Sequence, residues 1–300
     1  MICSKCSEQA IVFSRSRLCQ SHFIEDFERR VGDTVRKNDM VKEGDRIAVA
    51  VSGGKDSIAL LFCLHKILAG RGVQLVAVTV DEGIAGYRDD TLKVAKEIAG
   101  RLGIEQQIVS FRGEFGLDLD EMVQGKDVAP CTFCGVFRKN ALNHTAKRLG
   151  MSKVATGHNL DDEAESIMMN FFRNTLELSS RLGPVTGSIA SKKFVPRVKP
   201  LYFCLEKYIE RYSRKMNFPV VYDPCPCRNE SFRFCVLQYL NETEKKNTDI
   251  KENIAKQFLK LLPKLKKKYA KGELMYCSLC GEPSKHNICQ TCQILGKLIK

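Results

Sequence analysis

The chain has 300 residues, 44% of them hydrophobic, which is ample for a packed core and unlike a disordered chain. Its formal net charge is +13, no stretch approaches the roughly twenty apolar residues of a bilayer span, and the opening MICSKCSEQA lacks the apolar block of a secretory signal. These features point to a cytosolic (cytoplasmic) protein with a polyanionic partner and no membrane contact. In a reducing compartment fourteen cysteines are read for metal ligation before disulfides.

Residues 1–24 form a short lobe in which Cys3, Cys6, Cys19 and His22 make a C-x-x-C and a C-x-x-H a dozen residues apart, the spacing of a zinc site. Four protein ligands leave no open position, so the metal is structural and staples a lobe too small for its own apolar core. From residue 25 short apolar runs alternate with amphipathic ones: RIAVAV then DSIALLFCLHKILAG, LVAVTV then DTLKVAKEIAGRLG, QQIVSF, then GVFRKNALNHTAKRLG and KVATG. Strands interleaved with helices imply an α/β domain, expected over residues 25–225, whose parallel sheet carries helices on both faces. Asp56 or Ser57 opens one helix, and Gly70, Gly103 and Gly150 follow three helix ends. A further strand is expected at PVVYD, after a helix through LEKYIERYSRKM.

Residues 226–271 read as helical and increasingly basic, interrupted at Pro263. Ten lysines between Lys245 and Lys271 face only Asp249 and Glu252, and Lys264, Lys266, Lys267 and Lys268 are candidates for contact with a phosphate backbone. In residues 272–300, Cys277, Cys280, Cys289 and Cys292 make two C-x-x-C pairs, a second structural zinc site.

The stretch Ser52-Gly53-Gly54-Lys55-Asp56-Ser57 lies between a buried strand and a helix N-terminus. Glycines leave the backbone amides unobstructed, Lys55 adds a charge, and Ser52 and Ser57 add hydroxyl donors, which together make an anion site. It lacks the four-residue gap of a Walker A loop and instead resembles the PP-loop of the ATP pyrophosphatases. That resemblance implies that ATP is held by its β and γ phosphates, that AMP is transferred, and that Mg2+ assists. In such a sheet the nucleotide lies beyond the strands' carboxyl ends, which nominates Asp81 and Gly83 after one strand and Gly157, His158 and Asn159 after another. Asp161 and Asp162, in the next helical turn, suit either dipole stabilisation or Mg2+ and substrate binding; GHNLDDEAE resembles the tRNA-modifying PP-loop enzymes and favours the latter. His158 is open between a structural and a binding role, and Ile167, Met168, Phe171 and Phe172 fall at the helical spacing of core residues.

Cys63, Cys204 and Cys235 read as buried structural thiols. Cys131 and Cys134 in PCTFCGVFRK, with Cys225 and Cys227 in DPCPC, instead fall near the expected site. Three thiolates there would leave one iron of a [4Fe-4S] cluster without a protein ligand, open to an exogenous sulfur. The N-terminal C-x-x-C/C-x-x-H, SGGKDS, CTFCGVFRK, GHNLDDEAE, PRVKPL, a Cys-Pro before Phe232-Arg233 and the C-terminal double C-x-x-C resemble, in this order, the archaeal and eukaryotic cytoplasmic tRNA 2-thiolation enzymes.

The resemblance implies the fold of adenine nucleotide alpha hydrolases and ATP-dependent replacement of O2 of a tRNA uridine by sulfur. It also implies zinc at both ends and a cluster on Cys131, Cys134 and Cys225, with Cys227 a competing third ligand. Arg138, Lys139, Arg197 and Lys199 would meet the reacting nucleotide, sulfide or a thiocarboxylated ubiquitin-like carrier would supply sulfur, and the protein would be a homodimer. Wobble or T-loop uridine, and a persulfide on Cys134 or Cys225 in place of a cluster, are left open. So are a PP-loop ligase that adds an amine to a tRNA base and a zinc-stabilised RNA-binding module without turnover.

Overall fold

The computed structural model describes residues 1–13, 16–126, 129–187, 194–227, 232–269, 275–284 and 286–298. The central sheet grows from β3 (Arg46–Ala50), which pairs in parallel with β4 (Gln74–Asp81), itself parallel to β5 (Glu105–Ser110). The chain then returns to the other side of β3 with β6 (Lys153–Ala155), followed outward by β8 (Arg197–Val198) and, antiparallel at the edge, β7 (Val185–Thr186). The strand order β5-β4-β3-β6-β8-β7 reverses direction between β3 and β6. Such a reversal opens a crevice beyond the strands' carboxyl ends, because the two following loops leave on opposite sides.

Residues of β3 alternate between the two faces of the sheet. Ile47 and Val49 join a core with α1 (Gln20–Lys37), α2 (Lys55–Leu68) and α9 (Glu206–Lys215), whereas Ala48 joins one with α6 (Pro130–Arg148). Helix α2 contributes Ile58, Leu60, Leu61 and Leu64, none with any exposure. Each such side chain contributes roughly 1.5–3 kcal/mol, so the helix behind the glycine loop is firmly seated. The small β1 (Val12–Phe13) and β2 (Arg17–Leu18) form the N-terminal hairpin, and Cys3, Val12 and Leu18 pack into the same core as Phe23, Phe27 and Val31 of α1.

Two elements differ from the sequence expectation. Residues 219–223 (PVVYD) form no strand, because β8 and β7 occupy the sheet beyond β6; Val220 packs into the core instead. Pro263 does not interrupt α11 (Ile250–Tyr269), where Ala255, Phe258 and Leu262 are buried. Anchoring of the preceding turns outweighs the ~3 kcal/mol that an internal proline costs a helix. α10 (Phe232–Lys246) and α11 pack on α7 (Leu160–Phe172), while the expected boundary at 271/272 and Lys271 lie outside the described residues.

The C-terminal lobe, β9 (Met275–Tyr276), β10 (Pro283–Ser284) and α12 (Gln290–Leu298), docks on α6 through Ile294, Leu295 and Leu298 and through Glu282, which bonds Asn143 and Lys147. Gly53 has φ +85°, and a Cβ there would stand 2.0 Å from the carbonyl oxygen of Thr91. Gly53→Ala is therefore expected to destabilise the protein by at least ~1–3 kcal/mol and to abolish ATP binding, read by urea unfolding and by calorimetry.

Candidate active site

The loop after β3 and the start of α2 form one side of the crevice. Ser52 and Ser57 hydroxyls lie 3.1 Å apart, and the Ser57 hydroxyl accepts from the Ser52 amide at 3.0 Å. Gly54 is the N-cap of α2 and no side chain caps it, so the helix presents first-turn amides to an anion. Lys55 Nζ is held 2.7 Å from Glu206 and 3.1 Å from Asp56. Burial opposes its charge, but Asp56 and Glu206 raise its pKa overall, so it remains an ammonium.

The loop after β6 forms the opposite side. A Cβ on Gly157 would lie 3.2 Å from the Asp56 carbonyl carbon and the Ser57 nitrogen, so glycine lets the two loops meet. Asn159 donates to Asp56 at 3.0 Å and caps α7 by accepting from the Asp162 amide at 3.1 Å. Burial, reinforced by Asp162 and Glu206, pushes the Asp56 carboxyl upward against the pull of Lys55. A divalent cation would relieve that repulsion, and Mg2+ needs only one or two carboxylates beside the phosphates, so Asp56 and Asp162 fit it. His158 bonds Thr156 at 2.8 Å. Desolvation, opposed by Asp162 and reinforced by Lys199, Arg233 and Lys139, lowers its pKa. The ring is neutral and weakly basic, suited to hydrogen bonding.

Cys131 and Cys134 sit in the first turns of α6, and the Cys131 thiol donates to the carbonyl of Cys227 at 3.1 Å. Cys227 pairs with the Cys225 thiol, and its own pKa is pushed up to about 11 by burial and by the charges of Cys225 and Cys131. The Cys134 thiol is likewise raised to about 11 by burial, against the pull of Arg138, whose Nη2 donates to it at 2.9 Å. Thiols this reluctant to ionise need a strong Lewis acid to become thiolates. Among the described residues only the two terminal sets gather three or more ligand atoms within 4.8 Å of one another, and these cysteines are not so gathered.

A PP-loop domain model matches residues 23–241. The tRNA 2-thiolation protein NcsA of Haloferax volcanii is 31% identical over 99% of both chains. The cytoplasmic tRNA 2-thiolation protein 1 of Aspergillus niger is 36% identical over 99% of this chain and 89% of its own. The chain belongs to the tRNA 2-thiolation family of PP-loop proteins. The solved structure of the U34-tRNA thiolase NcsA from Methanococcus maripaludis with its [4Fe-4S] cluster is 32% identical, with a TM-score of 0.83 over 97% of this chain and 95% of that one.

Within this family fold, the terminal sets Cys3, Cys6, Cys19, His22 and Cys277, Cys280, Cys289, Cys292 are each gathered tightly. Sulfur pairs Cys6–Cys19 and Cys280–Cys289 are 3.6 Å apart, close to the edge of a tetrahedron with metal–sulfur bonds of about 2.3 Å. Burial opposes ionisation of Cys3 and Cys277, but backbone amides that bond the sulfurs bring both down to about 6.

Other expected residues are placed differently. Asp161 faces neighbouring helices, accepting from the Glu206 amide at 2.7 Å and from Lys251, which is 2% exposed, because burial requires an opposite charge. Asp162 accepts from Arg233 at 2.7 Å; burial opposes its charge, but Arg233 and the neighbouring cations hold its pKa low. Asp81 accepts from the Gly83 amide at 3.0 Å. Lys199 is buried against Glu163 at 2.6 Å, whereas Lys139 and Arg197 have no ion pair among the described residues. Enclosure and the like charges of Arg197 and Lys199 lower the Lys139 pKa, and desolvation lowers that of Arg197. Lys264, Lys267 and Lys268 are exposed and Lys266 half-buried on α11.

Phe171 and Phe172, expected in the core, are 66% and 53% exposed because the core-facing stripe of α7 ends one turn earlier, and Cys235 is exposed because α10 turns Val236, Leu237 and Leu240 inward instead. Cys63 and Cys204 are buried as expected.

Sequence reasoning passed over Glu82, Arg88 and Glu206, whose local signal is slight: an acid after Asp81, a basic residue in YRDD and an acid opening a helix. Lys251 also counted there as one more surface lysine. Lys251→Ala is expected to cost about 3–5 kcal/mol in urea unfolding by stranding Asp161, while Lys268→Ala leaves stability within ~0.5 kcal/mol.

Proposed function

We infer that the protein is an ATP-dependent tRNA uridine 2-sulfurtransferase of the cytoplasm, acting on the uridine that the solved relative's description names, U34. The observation that carries this reading is the linkage of a phosphate loop to the family cysteine Cys134 through a chain of polar contacts. The carbonyl of Ser52 is bonded by Arg88, Arg88 pairs with Glu82, Glu82 with Arg138, and Arg138 with Cys134.

Uridine O2 attacks the α phosphorus of ATP, the bond to the β-phosphate oxygen breaks, and pyrophosphate leaves. Lys55, released from Glu206, and the first-turn amides of α2 stabilise the charge that develops on that leaving group. Ser52, Gly53, Gly54, Ser57 and Gly157 shape the phosphate site, and Asp56 with Asp162 would hold Mg2+. Lys139 and Arg197, the cations left without acidic partners, receive the phosphates flanking a uridine turned out of its stack. His158 offers its uncharged ring to the base or nucleotide.

Cys131, Cys134 and Cys225 would hold the [4Fe-4S] cluster, which supplies when bound an iron free of protein ligands at which sulfur is held for transfer to C2. Cys225 is taken over Cys227 because its spacing to Phe232 and Arg233 fits the family pattern. AMP leaves as sulfur replaces O2. Sulfide or a thiocarboxylated carrier protein supplies the sulfur, and the lysines at the end of α11 contact the tRNA backbone. Pairing of two copies is tested by light scattering.

Anaerobically reconstituted protein, given unmodified tRNA, ATP and sulfide, is expected to yield 2-thiouridine on mass spectrometry of the digest. Lys55→Ala and Cys131→Ala should each abolish it; product from Cys131→Ala would remove the cysteine assignment, and tRNA binding without product would favour a non-catalytic module. Elemental analysis should find two zinc ions per chain, and Cys277→Ser should lower this to one.

A further inference from the structure

The carboxylate of Glu82 is enclosed at the carboxyl edge of the sheet, with 3% of the residue exposed. One oxygen lies 2.7 Å from Nε of Arg88, the other 2.8 Å from Nε of Arg138. Arg88, itself buried, donates through Nη1 to the Ser52 carbonyl at 2.7 Å and to Thr91 Oγ1 at 2.8 Å, and through Nη2 to the Val80 carbonyl. Arg138 donates through Nη2 to Cys134 Sγ at 2.9 Å.

Arg88 alone would neutralise the buried acid. The side chain of Arg138 is 46% exposed, so burial does not force it inward; a guanidinium on this surface would otherwise extend into water. The second arm of Glu82 therefore does something besides satisfy a buried charge: it fixes the orientation of the fork that touches the cysteine sulfur.

We propose that Glu82 is a positioning residue that holds Arg138 on the Cys134 sulfur and Arg88 on the Ser52 carbonyl, and so sets the electronic character of a cluster ligand and the shape of the phosphate loop together. This rests on the assignment of Cys134 as a cluster ligand. Groups around a cluster act on it through net charge and through hydrogen bonds to its sulfurs. A reduced cluster carries one more negative charge, so a positive group or donor at the sulfur favours reduction and a carboxylate behind it opposes reduction.

Opposite consequences follow for the two ends of the pair. In Glu82→Gln the charge of Arg138 is no longer balanced, and the midpoint potential rises. In Arg138→Gln the donor and its charge are gone while Glu82 remains, and the potential falls. Charge alone gives these opposite signs, and Glu82→Asp isolates the positioning: it keeps the charge but shortens the arm, so the Arg138 donor leaves the sulfur and the potential falls.

The full-length wild type, Glu82→Gln and Arg138→Gln are reconstituted anaerobically with iron and sulfide. Iron and acid-labile sulfide are assayed, the potential is read by titration with electron paramagnetic resonance, and ATP affinity is measured on metal-cluster-free protein. The expected result is an upward shift for Glu82→Gln with several-fold weaker ATP binding, and a downward shift for Arg138→Gln with ATP binding unchanged. Shifts of the same sign, or none, overturn the proposal. Should Glu82→Gln fail to fold, Glu82→Asp decides it: its potential must fall below that of the wild type and its ATP binding weaken, and a potential and affinity equal to the wild type's overturn the proposal. Wild type that takes up no iron overturns the cluster assignment and this proposal with it, whereas wild type with a cluster and unshifted variants overturns the proposal alone.

Discussion

A carboxylate taken out of water must find opposite charge, and at the carboxyl edge of this sheet Glu82 finds it on both sides at once. The two arginines it holds reach in different directions, Arg88 to the backbone of the phosphate loop and Arg138 to a cysteine at the head of α6. One buried side chain thus links the glycine loop after β3 to Cys134 through two ion pairs.

The same constraint shapes the far wall of the crevice. Helix α7 begins with acids, and its helices answer each: Lys251 of α11 meets Asp161, Arg233 of α10 meets Asp162 and Glu165, and Lys199 meets Glu163. Glu206, opening α9, donates its amide to Asp161 and accepts Lys55 with its side chain. The crevice is therefore walled by satisfied charge pairs. Against that background Lys139 and Arg197 stand out as cations without an ion pair among the described residues, the arrangement expected where a polyanion completes the site. The C-terminal lobe is pinned by Glu282 to the helix that carries Cys131, Cys134, Arg138 and Lys139.

Much of the fold was legible in one dimension. Apolar runs of five or six residues mark β3 and β4 because strands of a sheet covered on both faces cannot alternate. PVVYD carries the same composition and is not a strand, since whether a run enters the sheet depends on a vacant edge, and β7 with β8 had taken it. Phe171 and Phe172 repeat the helical spacing of core residues, yet α7 outruns the body it packs on. Periodicity reports which face of a helix is apolar, not how far its neighbours extend.

Functional residues divide in the same way. The two zinc-type sets and the SGGKDS loop were readable because their members lie within a few residues and their chemistry demands fixed spacing. The meeting of Cys131 and Cys134 with Cys225, and the roles of Glu82, Arg88, Glu206 and Lys251, depend on side chains tens to well over a hundred residues apart. Sequence alone determined the strand-and-helix alternation, the phosphate loop and the metal-ligand spacings, since each is enforced by local backbone geometry. Tertiary structure alone decided which acids and bases neutralise one another and which cations are left without an ion pair among the described residues, because charge compensation depends on distance in space and on exclusion of water.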